Sequence, residues 1–247
     1  EPKIGKTQTV LGLALAVSTG NDFLGIKTNK SKVSVYSFED DFQFLLERIR
    51  KMGLREDNEN FKIRIETTVP RLEQDDTMDK WLERSIKQDK PKLVILDTLF
   101  TMFPNASESI NDYKIQNIPH LLNAIAKRNS CSILITHHAN KNISFNQSSI
   151  SGNNSLAGAT TTNLGMRRNN SNQIEFKTLG NRIGTSIDSI VIKLQDNGFP
   201  VSAGKTSDFI FENLKEQIVK IFTENKNEEI NYSNLVNAIE GKKENID

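Results

Sequence analysis

Two hydrophobic periods alternate along the chain up to Thr136. Val33-Ser-Val-Tyr-Ser-Phe38 is dense in β-branched and aromatic residues, and Asp41 to Met52 follows with Phe44, Leu45, Ile49 and Met52 at helical spacing. Phe61-Lys-Ile-Arg-Ile65 alternates like a strand, and Asp76 to Gln88 places Met78, Leu82 and Ile86 on one helical face. Leu93-Val-Ile-Leu96 and Ser132-Ile-Leu-Ile-Thr136 are short continuous apolar runs, the pattern of strands buried on both faces. Between them Ile115 to Lys127 reads as helix, interrupted or restarted at Pro119. Strands alternating with helices predict an α/β protein with a parallel, doubly wound sheet and helices on both sides.

The rhythm then changes. Residues 139–154 are rich in Asn and Ser and show no period, which predicts a long loop. Asn163 to Arg168, Gln173 to Thr178 and Ile187 to Leu194 follow as a late run of strands expected to pair antiparallel. One domain is thus expected over residues 1–195, a Gly- and Pro-containing linker over 196–211, and a short helical appendage over 212–247.

Composition narrows the partners. The 247 residues carry 32 Lys and Arg against 31 Asp and Glu, a formal charge of +1, so no global field draws polyanions and any nucleic-acid contact must be local. A single cysteine, Cys131, excludes a disulfide framework and a Cys-based zinc site. The apolar run around Val10 to Val17 after Lys3 and Lys6 mimics a signal peptide but is far shorter than the ~20 residues of a membrane span. The motif reading below accounts for it better, so a cytoplasmic protein without membrane contact is expected.

The chemistry concentrates at the start of the chain and at strand ends. Glu1-Pro-Lys-Ile-Gly5-Lys6-Thr7 matches the last seven positions of the phosphate-loop pattern G-x-x-x-x-G-K-[ST]. The pattern's opening glycine, and the strand before it, are expected to precede residue 1. Small residues let backbone amides curl around phosphates, the Lys reaches the β/γ-phosphates, and the hydroxyl ligates Mg²⁺. The apolar stretch from Thr7 to Thr19 supplies the helix whose N-terminus completes the anion site. Pro2, Lys3, Ile4, Gly5, Lys6, Thr7 and Gln8 are therefore the expected nucleotide-binding residues. A second Gly204-Lys205-Thr206 has Phe199 where the first glycine belongs, and Thr206-Ser-Asp-Phe is a poor helix opening, so no phosphate loop is expected there.

Ligands of parallel sheets gather at the carboxyl ends of the strands. Asp97 ends the third expected strand as the Asp of a Walker B element, which with Thr7 would hold the metal. Glu39 ends the strand after the first helix and suits a base that orients and deprotonates attacking water. His137 ends a further strand as a donor toward the γ-phosphate. A metal site built from His120, His137 and His138 is not expected, because adjacent residues at a strand end point to opposite sides.

In order and spacing these residues resemble the RecA-type ATPases, most closely the RepA-like group of plasmid replicative helicases. The resemblance covers residues 1–195. It runs through Pro2-Lys3-Ile4-Gly5-Lys6-Thr7, Ser37-Phe-Glu39-Asp40, Leu96-Asp97-Thr98, Thr136-His137-His138, Ser155-Leu-Ala-Gly158-Ala159 and Lys177 through Asn181-Arg182-Ile-Gly184. Two departures stand out: Ser151-Gly152-Asn153 replaces a customary Arg-Gly-Ser, and Gly180 replaces a lysine, leaving Lys177 as the nearest cation. The resemblance implies a RecA-like P-loop core, with a central, mostly parallel sheet and late antiparallel strands. It also implies ATP and Mg²⁺ as cofactors, and a homo-hexamer with ATP between subunits and DNA through the centre. Arg182 would then act as a finger on a neighbour's ATP, the alternative being a buried structural ion pair. Single-stranded DNA would meet the loop 139–154 through Lys141, Asn142 and Phe145, the alternative being a solvated loop. The residues after Glu212 resemble the first two helices of a winged-helix module, or equally a helical hairpin. The function expected is an ATP-driven motor on DNA, with a RadA-like recombination ATPase or a non-unwinding replication regulator as alternatives.

Overall fold

A computed structural model of the chain describes residues 4–37, 40–65, 78–98, 113–137, 145–146, 158–169, 171–182 and 186–224, with Leu235 and Ile239. The first eight elements are α1 (Lys6–Thr19), β1 (Val33–Ser37), α2 (Phe42–Lys51), β2 (Phe61–Ile65), α3 (Met78–Asp89), β3 (Leu93–Asp97), α4 (Tyr113–Arg128) and β4 (Ser132–Ile135). The four strands pair in parallel in the order β2-β1-β3-β4. The chain steps outward from β1 to β2, then returns past β1 to β3. The order therefore reverses between β1 and β3.

Alternation of side chains along each strand builds two cores. Val33, Val35 and Ile95 meet Val10, Leu11, Ala14 and Leu15 of α1 and Leu45 and Ile49 of α2. Tyr36, Val94 and Leu96 meet Leu82 and Ile86 of α3 and Leu122 and Ile125 of α4 on the other face. There Tyr36 takes the Trp81 ring edge-on, with centroids 5.5 Å apart. α2 and α3 thus lie on opposite faces, as right-handed crossovers require when a sheet grows in two directions from one strand.

A second, antiparallel sheet follows in the order β5-β6-β7-β8, from β5 (Thr162–Arg168), β6 (Ile174–Asn181), β7 (Ile190–Leu194) and β8 (Pro200–Lys205). Its apolar face joins Phe176 and Ile192 to Leu24 and Phe23. α1 lies between this sheet and the parallel one, which explains why it is apolar all round. On one side Leu11 and Leu15 are buried against the parallel sheet, each contributing about 1.5–3 kcal/mol. On the other side a Cβ added to Gly12 would lie 2.4 Å from Pro200 Cδ, so only glycine permits this approach. One turn earlier, Gln8 Nε2 donates to the Gly198 carbonyl at 2.9 Å.

Three expectations change. α4 runs through Pro119 without a break, with Ile118, Leu122 and Ile125 of the same helix buried; packing of that face overrides the lost backbone bond. The expected linker 196–211 instead holds β8 and the first turns of α5 (Thr206–Glu224). Asp196-Asn197-Gly198 is a hairpin turn with Gly198 at φ 83°, and Pro200 opens a strand at the edge of its sheet, where a missing N–H is tolerated. A helix does open at Thr206, contrary to expectation. Because β8 reaches Lys205, no loop is left there to enclose a phosphate.

Residues Glu1–Ala203 and Gly204–Asp247 form two compact units. In the second, α5 exposes Ile210, Phe211, Val219 and Phe222.

Candidate nucleotide site

The carboxyl ends of the parallel strands carry a row of polar side chains on one face. Ser37 lies level with Asp97 in the β1–β3 register, and Thr136 N donates to the Leu96 carbonyl at 3.0 Å, which carries the row onto β4. By alternation all three fall on the α1 side, with Val35, Ile95 and Leu134 one pleat below. The row spans the gap between β1 and β3 where the strand order reverses. That gap is the position where open α/β sheets bind ligands.

α1 opens over the row. Gly5 caps it at φ 90°, a left-handed conformation that strains any residue with a side chain, and the cap contributes no side-chain hydrogen bond. The first-turn amides and the helix dipole point out of this end, as anion binding needs. Lys6 Nζ donates to the His137 carbonyl at 3.3 Å, which carries the ammonium across to the end of β4.

Thr7 and Asp97, separated by most of the parallel sheet in sequence, meet here. Thr7 Oγ1 donates to Asp97 Oδ2 at 2.8 Å, and Thr136 Oγ1 donates to Asp97 Oδ1 at 2.5 Å. Asp97 is 4% exposed and each carboxylate oxygen accepts one hydroxyl. Among the described residues no group of three or more His, Cys, Asp or Glu gathers around a common point. A magnesium ion does not require one: it keeps several waters and takes phosphate oxygens with one or two protein ligands. One hydroxyl and one carboxylate in contact beneath a helix N-terminus that has no side-chain cap fit that donor set.

Thr136 is a site residue that the motif pattern hides behind its neighbour His137. The signal lies in the strand itself, because alternation from Leu134 sends position 136, not 137, toward α1. Hydrogen bonds to charged groups are worth about 1.5–3 kcal/mol. Thr136→Val is therefore expected to lower stability by about 2 kcal/mol and raise the Mg²⁺ needed for nucleotide binding ~10-fold. Thr136→Ser should restore both. Chemical denaturation and Mg²⁺ titration read the two effects separately.

The remaining expected site residues divide. Pro2, Lys3 and Glu39 lie outside the described residues. Asp40, beside Glu39, pairs with Arg48 at 3.0 Å. Ile4 is buried, so its side chain belongs to the core. The Gln8 side chain is held by the Gly198 carbonyl.

Arg182 follows β6. Gly180 lies within β6 next to a bulge opposite Asn163 and Leu164. Arg182 is exposed, its amide donates to the Thr161 carbonyl at 2.9 Å, and its guanidinium donates to the Gly158 carbonyl. That is not the buried ion pair offered as its alternative role.

Of the expected DNA loop, Lys141 and Asn142 lie outside the described residues. Phe145 is described, and it packs on Gly165 of β5 with Arg167 4.4 Å and Lys177 4.7 Å from its ring centroid. The ring is thus engaged by the sheet. Beside it Glu175 is buried and accepts from Arg167 at 2.7 Å and Ser189 at 2.5 Å. Burial pushes the Glu175 carboxyl up, but the Ser189 and Arg167 hydrogen bonds and the Arg167 and Lys177 charges outweigh it and hold it below its ordinary value.

A parallel sheet that reverses order between β1 and β3, a Gly-Lys-Thr helix over the reversal, and an aspartate at the neighbouring strand end define a protein of the P-loop ATPase class. The chain belongs to the AAA domain family, whose model matches residues 1–144 and so takes in α1 through β4. The family brings an ATPase-type, nucleotide-binding function, usually with Mg²⁺. No curated protein matches the chain. Among the described residues, no helix is long and apolar enough to cross a membrane.

Proposed function

We propose that this protein hydrolyses ATP to drive work on DNA, in the manner of the RepA-like replicative helicases, as a homo-hexamer. The observation that carries the hydrolytic half is the Thr7–Asp97–Thr136 junction beneath the N-terminus of α1. It gathers a phosphate-facing helix end and a metal-suited oxygen pair from three distant parts of the chain. The DNA half is supported by the motif order from Pro2 to Gly184.

In this reading Gly5 and the first-turn amides wrap the phosphates, and Lys6 pairs with the β/γ-phosphate oxygens. Thr7 and Asp97 would hold Mg²⁺, which when bound neutralises charge on those oxygens. Glu39 orients a water and takes its proton, and His137 contacts the γ-phosphate. Arg182 serves the ATP of a neighbouring subunit, and the 139–154 segment meets single-stranded DNA.

The test is ATP turnover by the full-length protein with and without single-stranded DNA. Stimulation by DNA that weakens with salt is expected; turnover indifferent to DNA would instead leave a nucleotide-dependent regulator. Glu39→Gln should keep nucleotide affinity and lower turnover ~10²-fold, the scale of a lost general base. Undiminished turnover would move the base elsewhere.

A further inference from the structure

The row at the strand ends contains one group that nothing among the described residues satisfies. Ser37 is 2% exposed, and its Oγ has no hydrogen-bond partner there. Buried hydroxyls are ordinarily paired, because leaving one without a partner opposes folding. Its surroundings on the same face do not explain it: Val33 and Val35, the preceding positions of β1 on that side, are core residues against α1. An alanine would fill the same place in the strand without the penalty.

Position supplies an explanation. Ser37 is level with Asp97 across the β1–β3 pair, on the face over which α1 opens, and at the reversal of strand order. The other hydroxyls of the junction, Thr7 and Thr136, already donate to Asp97, one to each oxygen. Ser37 is the one hydroxyl of the row left for a ligand.

We propose that Ser37 is a positioning residue of the nucleotide site, its hydroxyl hydrogen-bonding the hydrated metal–phosphate group beside Asp97. The inference rests on the reading of this site as one for Mg²⁺ and ATP. It assigns Ser37 a trade: the hydroxyl destabilises the empty protein and strengthens the loaded one. A residue that only packs the strand cannot give opposite signs to these two effects.

The experiment uses the full chain and Ser37→Ala, with Ser34→Ala, buried on the opposite face of β1, as control. Thermal unfolding is followed without ligand, and ATP affinity is titrated in Mg²⁺ and in EDTA. Ser37→Ala should raise the unfolding temperature by a few degrees, because an unsatisfied polar group is removed. It should weaken binding in Mg²⁺ ~5–10-fold, the worth of about one hydrogen bond, and in EDTA less than ~2-fold. Ser34→Ala should leave both affinities unchanged. A Ser37→Ala protein that melts lower and binds Mg²⁺·ATP as the parent does would show a packing residue and overturn the proposal. If the parent binds ATP, Lys6→Ala does not, and Ser37→Ala matches the parent, Ser37 alone is wrong. If the parent itself fails to bind ATP, the nucleotide reading falls and this inference with it.

Discussion

Lys6→Ala is expected to abolish ATP binding while leaving the fold intact. Lys6 is the first residue of α1, and its ammonium already reaches the end of β4 at the His137 carbonyl, over the polar row. Each charge-assisted bond that it would make to phosphate in the proposed site is worth about 1.5–3 kcal/mol. Losing two of them raises the dissociation constant ~10²-fold at the least. The fold should not notice, because Lys6 is not part of either core and alanine is the better helix former. Calorimetric titration with Mg²⁺·ATP, beside a melting curve that matches the parent's, reads both halves. Unchanged affinity in a well-folded variant would remove the phosphate site from α1. Lys6→Arg is expected to bind poorly too, because a planar guanidinium does not replace a compact ammonium in a close backbone cradle.

The parallel half of the fold is legible in the sequence because each of its signals is local. Continuous runs such as Leu93 to Leu96 mark strands buried on both faces, and Leu82 and Ile86 mark a helix with one buried stripe. Gly-Lys-Thr followed at once by an apolar helix, and Asp97 ending an apolar run, are enough to pair Thr7 with Asp97 from motif order alone. What escapes such reading is long-range. Asp196-Asn197-Gly198 announces a turn, but nothing near it says that the turn lands on Gln8, or that Pro200 presses on Gly12. Gly12 looks like an ordinary helix weakness until the strand that crosses it is known. Pro119 and the expected linker mislead for a related reason: composition describes both, while tertiary burial and edge position decide their structure.

The antiparallel sheet shows the same limit at a functional candidate. Phe145 reads as a lone aromatic in a polar loop, a natural stacking surface. Its actual neighbours, Gly165, Arg167 and Lys177, come from two strands that pair only in the fold. Lys177, next to a ring that its charge attracts, lies across from Gly165 in the β5–β6 register. If DNA is held near this sheet, cations on β5 and β6 are better placed to contact phosphate than Phe145 is to stack on a base.

Arg182→Ala should lower ATP turnover ~10³-fold with little effect on nucleotide affinity, because an arginine finger acts on the charge of the transition state. Its setting suits a group that projects. The side chain is exposed at the end of β6, its backbone is fixed to Thr161, and its guanidinium partner is the neutral Gly158 carbonyl, an interaction easily exchanged for phosphate. A structural arginine would instead be expected to hold a carboxylate, as Arg167 holds Glu175 in the same sheet. Mixing decides whether the residue acts within its own subunit or on the next. Neither Arg182→Ala nor Lys6→Ala should turn over alone. In mixed oligomers a fraction of interfaces joins an intact phosphate site to an intact arginine from the neighbour, so activity should return and peak near equal proportions. Mixtures that stay inactive at every ratio, although the oligomers form, would place Arg182 in its own subunit's site or tie every site to simultaneous firing. A fully active monomer at all concentrations would remove the ring itself, and with it any neighbour for Arg182 to serve.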